Sequence, residues 1–215
     1  MRKTLVFDLD GTLLNTLGDL RDSTNYALKK FGYPERTTEE IRNFVGNGLK
    51  MLIVRALPKD SPDVEAVLAE MKRHYVRNCA NLTRPYDGIP EMLAKLRGAG
   101  FCLAIVSNKA APMVSLLREY YFSDLIPVAV GESEAIARKP APDMVFEALR
   151  QLGSAQEDAV YIGDSDVDIL TAKNSGIPCR SVCWGFRSEE ELCRAGAKTV
   201  YRTPEELYRA LTADG

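Results

Sequence analysis

The chain has 215 residues, 46% of them hydrophobic and 27% charged, with 28 Lys and Arg against 30 Asp and Glu for a net charge of −2. That is enough chain for one large domain, or for a core domain with a smaller insert, and the composition is that of an ordinary globular protein. It lacks the basic excess of a nucleic-acid binder, and no apolar stretch approaches the ~20 residues that span a bilayer.

The apolar run behind Met1-Arg2-Lys3 ends at Asp8, too short for a signal-peptide core, so a cytoplasmic protein is expected. The five cysteines, Cys79, Cys102, Cys179, Cys183 and Cys193, are odd in number and have no zinc-knuckle spacing. They read as reduced core thiols. A single histidine, His74, excludes mechanisms that need two, and its polar helical surroundings make it structural.

Residues 3–8 predict a buried first strand. A helical pattern runs over 16–31 and closes at Gly32-Tyr33-Pro34. Thr37 with Glu40 forms a capping-box pattern for a second helix, which Val45-Gly46-Asn47-Gly48 breaks. A third helical stretch runs to Pro58. Ser61-Pro62 predicts the start of a fourth, which runs to about Cys79. After Pro85-Tyr86-Asp87-Gly88 helices alternate with strands, predicted at 101–106, 126–130, 159–162, 178–182 and 199–201. Such alternation implies an α/β fold, a doubly wound, Rossmann-like parallel sheet covered on both faces. The helical block is then an insertion after the first strand. Residues 1–15 and 83–215 are expected to form the core, and 16–82 an all-helical domain.

In a parallel sheet ligands bind beyond the carboxyl ends of the strands. Those ends carry Asp8, Asp10 and Thr12; then Ser107, Asn108 and Lys109; then Arg138-Lys139-Pro140; then Gly163-Asp164-Ser165-Asp166-Val167-Asp168. Asp8, Asp10, Asp164 and Asp168 would gather four negative charges, which raise one another's pKa and oppose folding. A hard divalent cation resolves this, and Mg²⁺ suits a few carboxylates together with phosphate and water. With Lys139, the Ser107 hydroxyl and free backbone amides, such a site suits a phosphoryl group, and one carboxylate remains to attack it and form an aspartyl-phosphate. Asp166 reads as a solvated helix-start acid, and Lys109 and Arg138 as surface or salt-bridge residues.

These four segments, Asp8-Leu9-Asp10-Gly11-Thr12, Val106-Ser107-Asn108-Lys109, Arg138-Lys139-Pro140 and Gly163-Asp164-Ser165-Asp166-Val167-Asp168, resemble the four motifs of the haloacid dehalogenase-like hydrolase superfamily in order and spacing. The helical insert resembles the family's cap, and Pro85-Tyr86-Asp87-Gly88 with Gly46-Asn47-Gly48 resembles the phosphoglycolate phosphatase branch. The resemblance implies Asp8 as nucleophile and Asp10 as the acid that protonates the leaving oxygen, then the base that activates water. It implies Mg²⁺ held by Asp8, the backbone carbonyl of Asp10, and Asp164. Thr12, Ser107, Asn108 and Lys139 would bind the phosphoryl group. Gly11, Gly163 and Ser165 would support the site, and Asp168 would orient Lys139 or a metal-bound water. Asn47 belongs to a turn that reads equally as a plain interhelical connection or as a substrate loop.

The presence of Asp10 favours phosphate esters over haloacids, because a carbon–halogen cleaver has no alkoxide to protonate. Where relatives carry an acid near the cap hinge, this chain has Asn15; where mutases carry a cap-loop arginine, Leu49 follows Gly48 and the first base is Lys50. The expected partner is a small phosphorylated metabolite, with phosphoglycolate first and a sugar phosphate or pyrophosphate as alternatives. A non-catalytic interaction protein is the reading from a different class. No nucleic-acid or membrane partner is expected, and the protein is expected to be a monomer or homodimer.

Overall fold

A computed structural model describes residues 3–213. The chain divides into two compact units, one of residues 1–14 and 85–215, the other of residues 15–84.

The first unit is built on a six-stranded sheet. Its strands are β1 (Thr4–Phe7), β4 (Cys102–Ala110), β5 (Val128–Glu132), β6 (Ala159–Gly163), β7 (Cys179–Val182) and β8 (Val200–Tyr201). Every pairing is parallel and the spatial order is β5-β4-β1-β6-β7-β8. The order reverses direction at β1, which pairs with β4 on one side and β6 on the other. Helices α5 (Ile89–Gly98), α6 (Ala111–Phe122), α7 (Asp143–Leu152), α8 (Asp166–Asn174), α9 (Glu189–Arg194) and α10 (Pro204–Ala213) connect or follow the strands.

All four residues of β1 are buried, as both faces of a covered parallel sheet require. Side chains alternate along a strand, so Val6, Ala104, Val106, Val128, Val130 and Tyr161 share one face. They pack on Met144, Val145, Ala148 and Leu149 of α7 and Ala172 of α8. Leu5, Phe7, Leu103, Ile105 and Ile162 point the other way and are equally buried.

The structure moves three predicted boundaries. The fourth strand does not stop at Val106 but runs to Ala110, so Ser107, Asn108 and Lys109 lie within it. Polar residues carry no strand signal, and these are held by the site described below. The next strand starts at Val128, because the Ile126 amide still bonds to the Phe122 carbonyl in the turn after α6. In the helical unit the fourth helix starts at Val64 instead of Ser61. The Tyr33 hydroxyl engages Ser61 Oγ (2.9 Å) and Asp63 Oδ2 (2.7 Å), holding that segment as a turn.

The second unit holds α1 (Leu17–Lys30), α2 (Thr38–Phe44), α3 (Gly48–Ala56) and α4 (Val64–Asn78). Leu20, Ala27, Leu28, Ile41, Leu52, Ile53, Val67, Met71 and Tyr75 form its buried interior. The capping box of Thr37 and Glu40 is present. His74 stacks on Tyr26 with ring centroids 4.2 Å apart and bonds to Ser23 Oγ, a structural role. The chain enters this unit through β2 (Leu14–Asn15) and leaves it through β3 (Arg84–Pro85), and these two short strands pair with each other. None of the five cysteines is in a disulfide. Among the described residues no helix is long and apolar enough to cross a membrane.

Asp19 closes the helical unit. Its buried carboxylate accepts from the amides of Leu82 (2.9 Å) and Thr83 (2.8 Å) and from the Thr83 hydroxyl (2.7 Å). Asp19→Ala leaves these donors without their acceptor, so a destabilisation of about 2–4 kcal/mol is expected in chemical denaturation, with faster hydrogen exchange at the Leu82 and Thr83 amides.

Candidate active site

The site forms where β1, β4 and β6 end. Asp8 follows the last residue of β1, and its amide donates to the Ile162 carbonyl of β6 (2.9 Å). Its carboxylate is almost fully buried. Lys139, brought in from the segment before α7, donates from Nζ to Asp8 Oδ1 (2.6 Å), to Asp168 Oδ1 (2.8 Å) and to the Tyr161 hydroxyl (3.0 Å). Tyr161 in turn donates to Asp168 Oδ1 (3.0 Å). Burial alone would pull the Lys139 ammonium down, but the charges of Asp168 and Asp8 outweigh it and hold the group well above the usual lysine range. Lys139 is therefore a permanent buried cation.

Asp168 is fixed from both sides. Beyond its bonds to Lys139 and Tyr161, its Oδ2 accepts from the Ser165 amide (3.1 Å) and hydroxyl, while Ser165 Oγ caps the Asp168 amide. This is the capping box of α8, so one acid both starts the helix and orients the lysine. Asp164 precedes the helix. Its Oδ1 accepts from the Thr12 hydroxyl (3.1 Å) and its Oδ2 from the Phe186 amide (2.7 Å).

Two glycines keep the carboxylates close to the backbone. Gly11, in the left-handed region at φ 96°, would drive a Cβ into the Asp164 carboxylate, and a Cβ on Gly163 would strike Asp168. Asp10 stands slightly more open. Its Oδ1 pairs with Lys109 Nζ (2.8 Å), and Ser107 Oγ lies 3.4 Å from its Oδ2. Asn108 is buried and donates from Nδ2 to the Lys139 carbonyl (3.0 Å).

The structure thus brings Asp8, Asp10, Ser107, Asn108, Lys139, Asp164 and Asp168 together, with Gly11, Gly163 and Ser165 shaping the backbone around them. Thr12 is fully buried and donates its hydroxyl to Asp164, so it orients that carboxylate. Asn47 belongs to the helical unit, where its Oδ1 accepts from Arg55 (2.7 Å). Asp166 is exposed and Arg138 pairs with Glu132 at the surface, as expected. Lys109 takes the salt-bridge alternative, and does so from a buried position.

Four contributors gave no sequence signal. Tyr161 reads as an ordinary strand residue. The loop after β7 carries Phe186 to Asp164, and Trp184 donates from Nε1 to the Thr12 carbonyl (2.9 Å). Gly185 lies between them, where a Cβ would meet the Gly11 carbonyl and the Asp164 carboxylate.

Asp8, Asp164 and Asp168 each place a carboxylate oxygen within 4.8 Å of the others. Burial, with the like charge of Asp168 added, pushes the Asp164 carboxyl up to about 7, against the opposing bonds from Phe186 and Thr12. Burial also raises Asp8 well above the usual carboxylate range; Lys139 opposes the shift and the neighbouring acids add to it. Three buried acids facing one ammonium leave an excess of negative charge that fits a hard divalent cation with oxygen ligands, such as Mg²⁺. The two oxygens of Asp168 are taken up by four donors, Lys139 Nζ, the Tyr161 hydroxyl and the Ser165 amide and hydroxyl, whereas Asp164 meets two and Asp8 one, so Asp8 and Asp164 keep the lone pairs suited to hold it.

A carboxyl whose pKa is higher in the folded than in the unfolded state binds protons more tightly when folded. The stability it supports is greatest in acid and is lost as pH rises from ~4 to about 7. Metal-free protein is therefore expected to melt at lower temperature as pH rises across this window. Asp164→Asn should flatten that loss and weaken Mg²⁺ binding in titration calorimetry. Gly185→Ala should weaken Mg²⁺ binding as well, by displacing the Asp164 carboxylate.

Residues 5–182 match the haloacid dehalogenase-like hydrolase family. N-acetylmuramic acid 6-phosphate phosphatase of Pseudomonas aeruginosa is 32% identical over 213 residues, covering 97% of this chain and 94% of that protein. Phosphoglycolate phosphatase of Mesorhizobium japonicum is 36% identical over 191 residues, covering 86% and 84%. A solved structure from Lactobacillus delbrueckii subsp. bulgaricus superposes with a TM-score of 0.93 at 36% identity, covering 98% of this chain and 99% of that one. The chain belongs to the haloacid dehalogenase-like hydrolase family, in its phosphoglycolate phosphatase-like branch, and is a phosphoric monoester hydrolase.

Proposed function

We propose that this protein is a Mg²⁺-dependent cytoplasmic phosphatase that hydrolyses a small phosphomonoester through an aspartyl-phosphate on Asp8, with 2-phosphoglycolate as substrate. The observation that carries the reading is the buried Lys139 ammonium bonded to one oxygen of Asp8. It fixes the orientation of the attacking carboxylate and places a permanent positive charge beside the group being transferred, as phosphoryl transfer requires.

In this reading an Asp8 carboxylate oxygen bonds to phosphorus as the ester oxygen departs. Asp10 gives its proton to that oxygen. A water then attacks the phosphorus of the aspartyl-phosphate, Asp10 takes the water's proton, and inorganic phosphate leaves with Asp8 regenerated. Ser107 and Lys139 hold phosphoryl oxygens, and Asp168 keeps Lys139 in place. Asp8, Asp164 and the Asp10 carbonyl would hold Mg²⁺, which would supply further neutralisation of phosphoryl charge. The helical unit is the cap in the same reading, and Asn47 its substrate-binding residue.

A sugar phosphate is the second reading. It is favoured by the Pseudomonas aeruginosa relative, which acts on N-acetylmuramic acid 6-phosphate and aligns over nearly the whole of this chain.

A panel of phosphorylated metabolites compared by kcat/KM separates the two: 2-phosphoglycolate should lead, and a lead by N-acetylmuramic acid 6-phosphate would replace it. Asp8→Asn is expected to abolish turnover, and Asp10→Asn to lower kcat by about 10²–10⁴-fold, the usual contribution of a general acid–base. Chelation with EDTA should remove activity and added Mg²⁺ restore it. Normal hydrolysis by Asp8→Asn would refute the mechanism.

A further inference from the structure

We propose that Lys109 is a positioning residue for Asp10, aimed at it by a bulge in β4 that Gly131 makes room for. The inference rests on the acid–base role of Asp10 given above.

The pairing of β4 with β5 matches Ser107 with Gly131 and then Ala110 with Glu132. Asn108 and Lys109 are therefore extra residues on one side of the ladder, a bulge that bends the strand and re-aims its side chains. A regular strand would send Ser107 and Lys109 to one face and Asn108 to the other. Here all three are buried and all three reach the site: Ser107 Oγ to Asp10 Oδ2 (3.4 Å), Asn108 Nδ2 to the Lys139 carbonyl (3.0 Å), and Lys109 Nζ to Asp10 Oδ1 (2.8 Å).

The bulge is held from two directions. The Lys109 amide donates to Ser107 Oγ (3.2 Å). The backbone of β5 presses against it at Gly131, where a Cβ would lie 2.6 Å from Ala111 Cα and 2.8 Å from the Lys109 carbonyl oxygen. Space for this contact exists only because residue 131 has no side chain.

The Lys109 side chain is 3% exposed and that of Asp10 14%. Burying an ammonium is costly, and a surface turn has no need of one. What it achieves here is to hold one oxygen of the more open carboxylate in place. Asp10 must face the leaving oxygen in the first half of the reaction and a water in the second, and a displacement of about 1 Å in such a group costs up to about a hundredfold in rate. Lys109 touches neither reacting atom in this account; it acts through Asp10.

The test is a double-mutant cycle with Asp10→Asn, Lys109→Met and the double variant, using the whole protein with Mg²⁺ and 2-phosphoglycolate or the best substrate of the panel. Lys109→Met is expected to lower kcat about 10–100-fold with KM and inhibition by inorganic phosphate changed less than about threefold, to add less than about twofold in the Asp10→Asn background, and to be partly rescued by Lys109→Arg. Additive losses in the double variant, an unchanged kcat, or a matching loss of phosphate inhibition would overturn it. If Lys109→Met does not fold, the same cycle with Lys109→Gln decides the matter. A wild-type kcat in Asp10→Asn alone would instead remove the acid–base reading, which separates that failure from this one.

Discussion

A lysine ammonium buried among carboxylates is the constraint on which this site depends. Lys139 cannot keep its charge in the interior without Asp8 and Asp168, and three carboxylates within 4.8 Å of one another cannot be held together without a cation. Each group compensates the others, so the end of β1, the end of β6, the start of α8 and the segment carrying Lys139 are tied at one point. Tyr161 belongs to the same knot, since its hydroxyl accepts from the lysine and donates to Asp168. The excess negative charge that remains suits the site to a hard divalent cation.

The backbone does much of the positioning. The capping box of α8 uses Asp168 twice, as a helix cap and as an orienting group for Lys139. Gly11 and Gly163 leave room for the Asp164 and Asp168 carboxylates against the chain, and Gly185 lets the loop after β7 close on the turn that follows β1. The bulge in β4 turns three successive residues inward. These devices put charged side chains on short, rigid supports, which is how a site keeps its geometry without relying on long flexible arms.

Much of this was legible in residue order. The acids Asp8, Asp10, Asp164 and Asp168 stood out because buried strand ends do not carry carboxylates without compensation, and Lys139 stood out as the charge that answers them. The alternation of helices and strands after Pro85 pointed to a parallel sheet, and the capping box at Thr37 marked a helix start that the structure reproduces. Less legible were the residues whose role comes from where the fold brings them. Tyr161 lies in an apolar strand like any other core aromatic. Trp184, Gly185 and Phe186 follow a strand with no motif around them. The bond from the Thr12 hydroxyl to Asp164 is likewise visible only in the fold, which buries that hydroxyl against the carboxylate.

The sequence by itself determined the fold class, the set of chemically unusual residues and the order in which strand ends present them. These follow from local patterning and from the cost of uncompensated charge, both of which reside in the residues themselves. Tertiary structure alone decided the partnerships: Lys139 with Asp8 and Asp168, and Lys109 with Asp10 instead of with solvent. It also decided that β4 runs on past Val106 into the site. A register shift against a neighbouring strand and a missing Cβ across a backbone contact are relations between distant segments, and no window of sequence contains both sides of them.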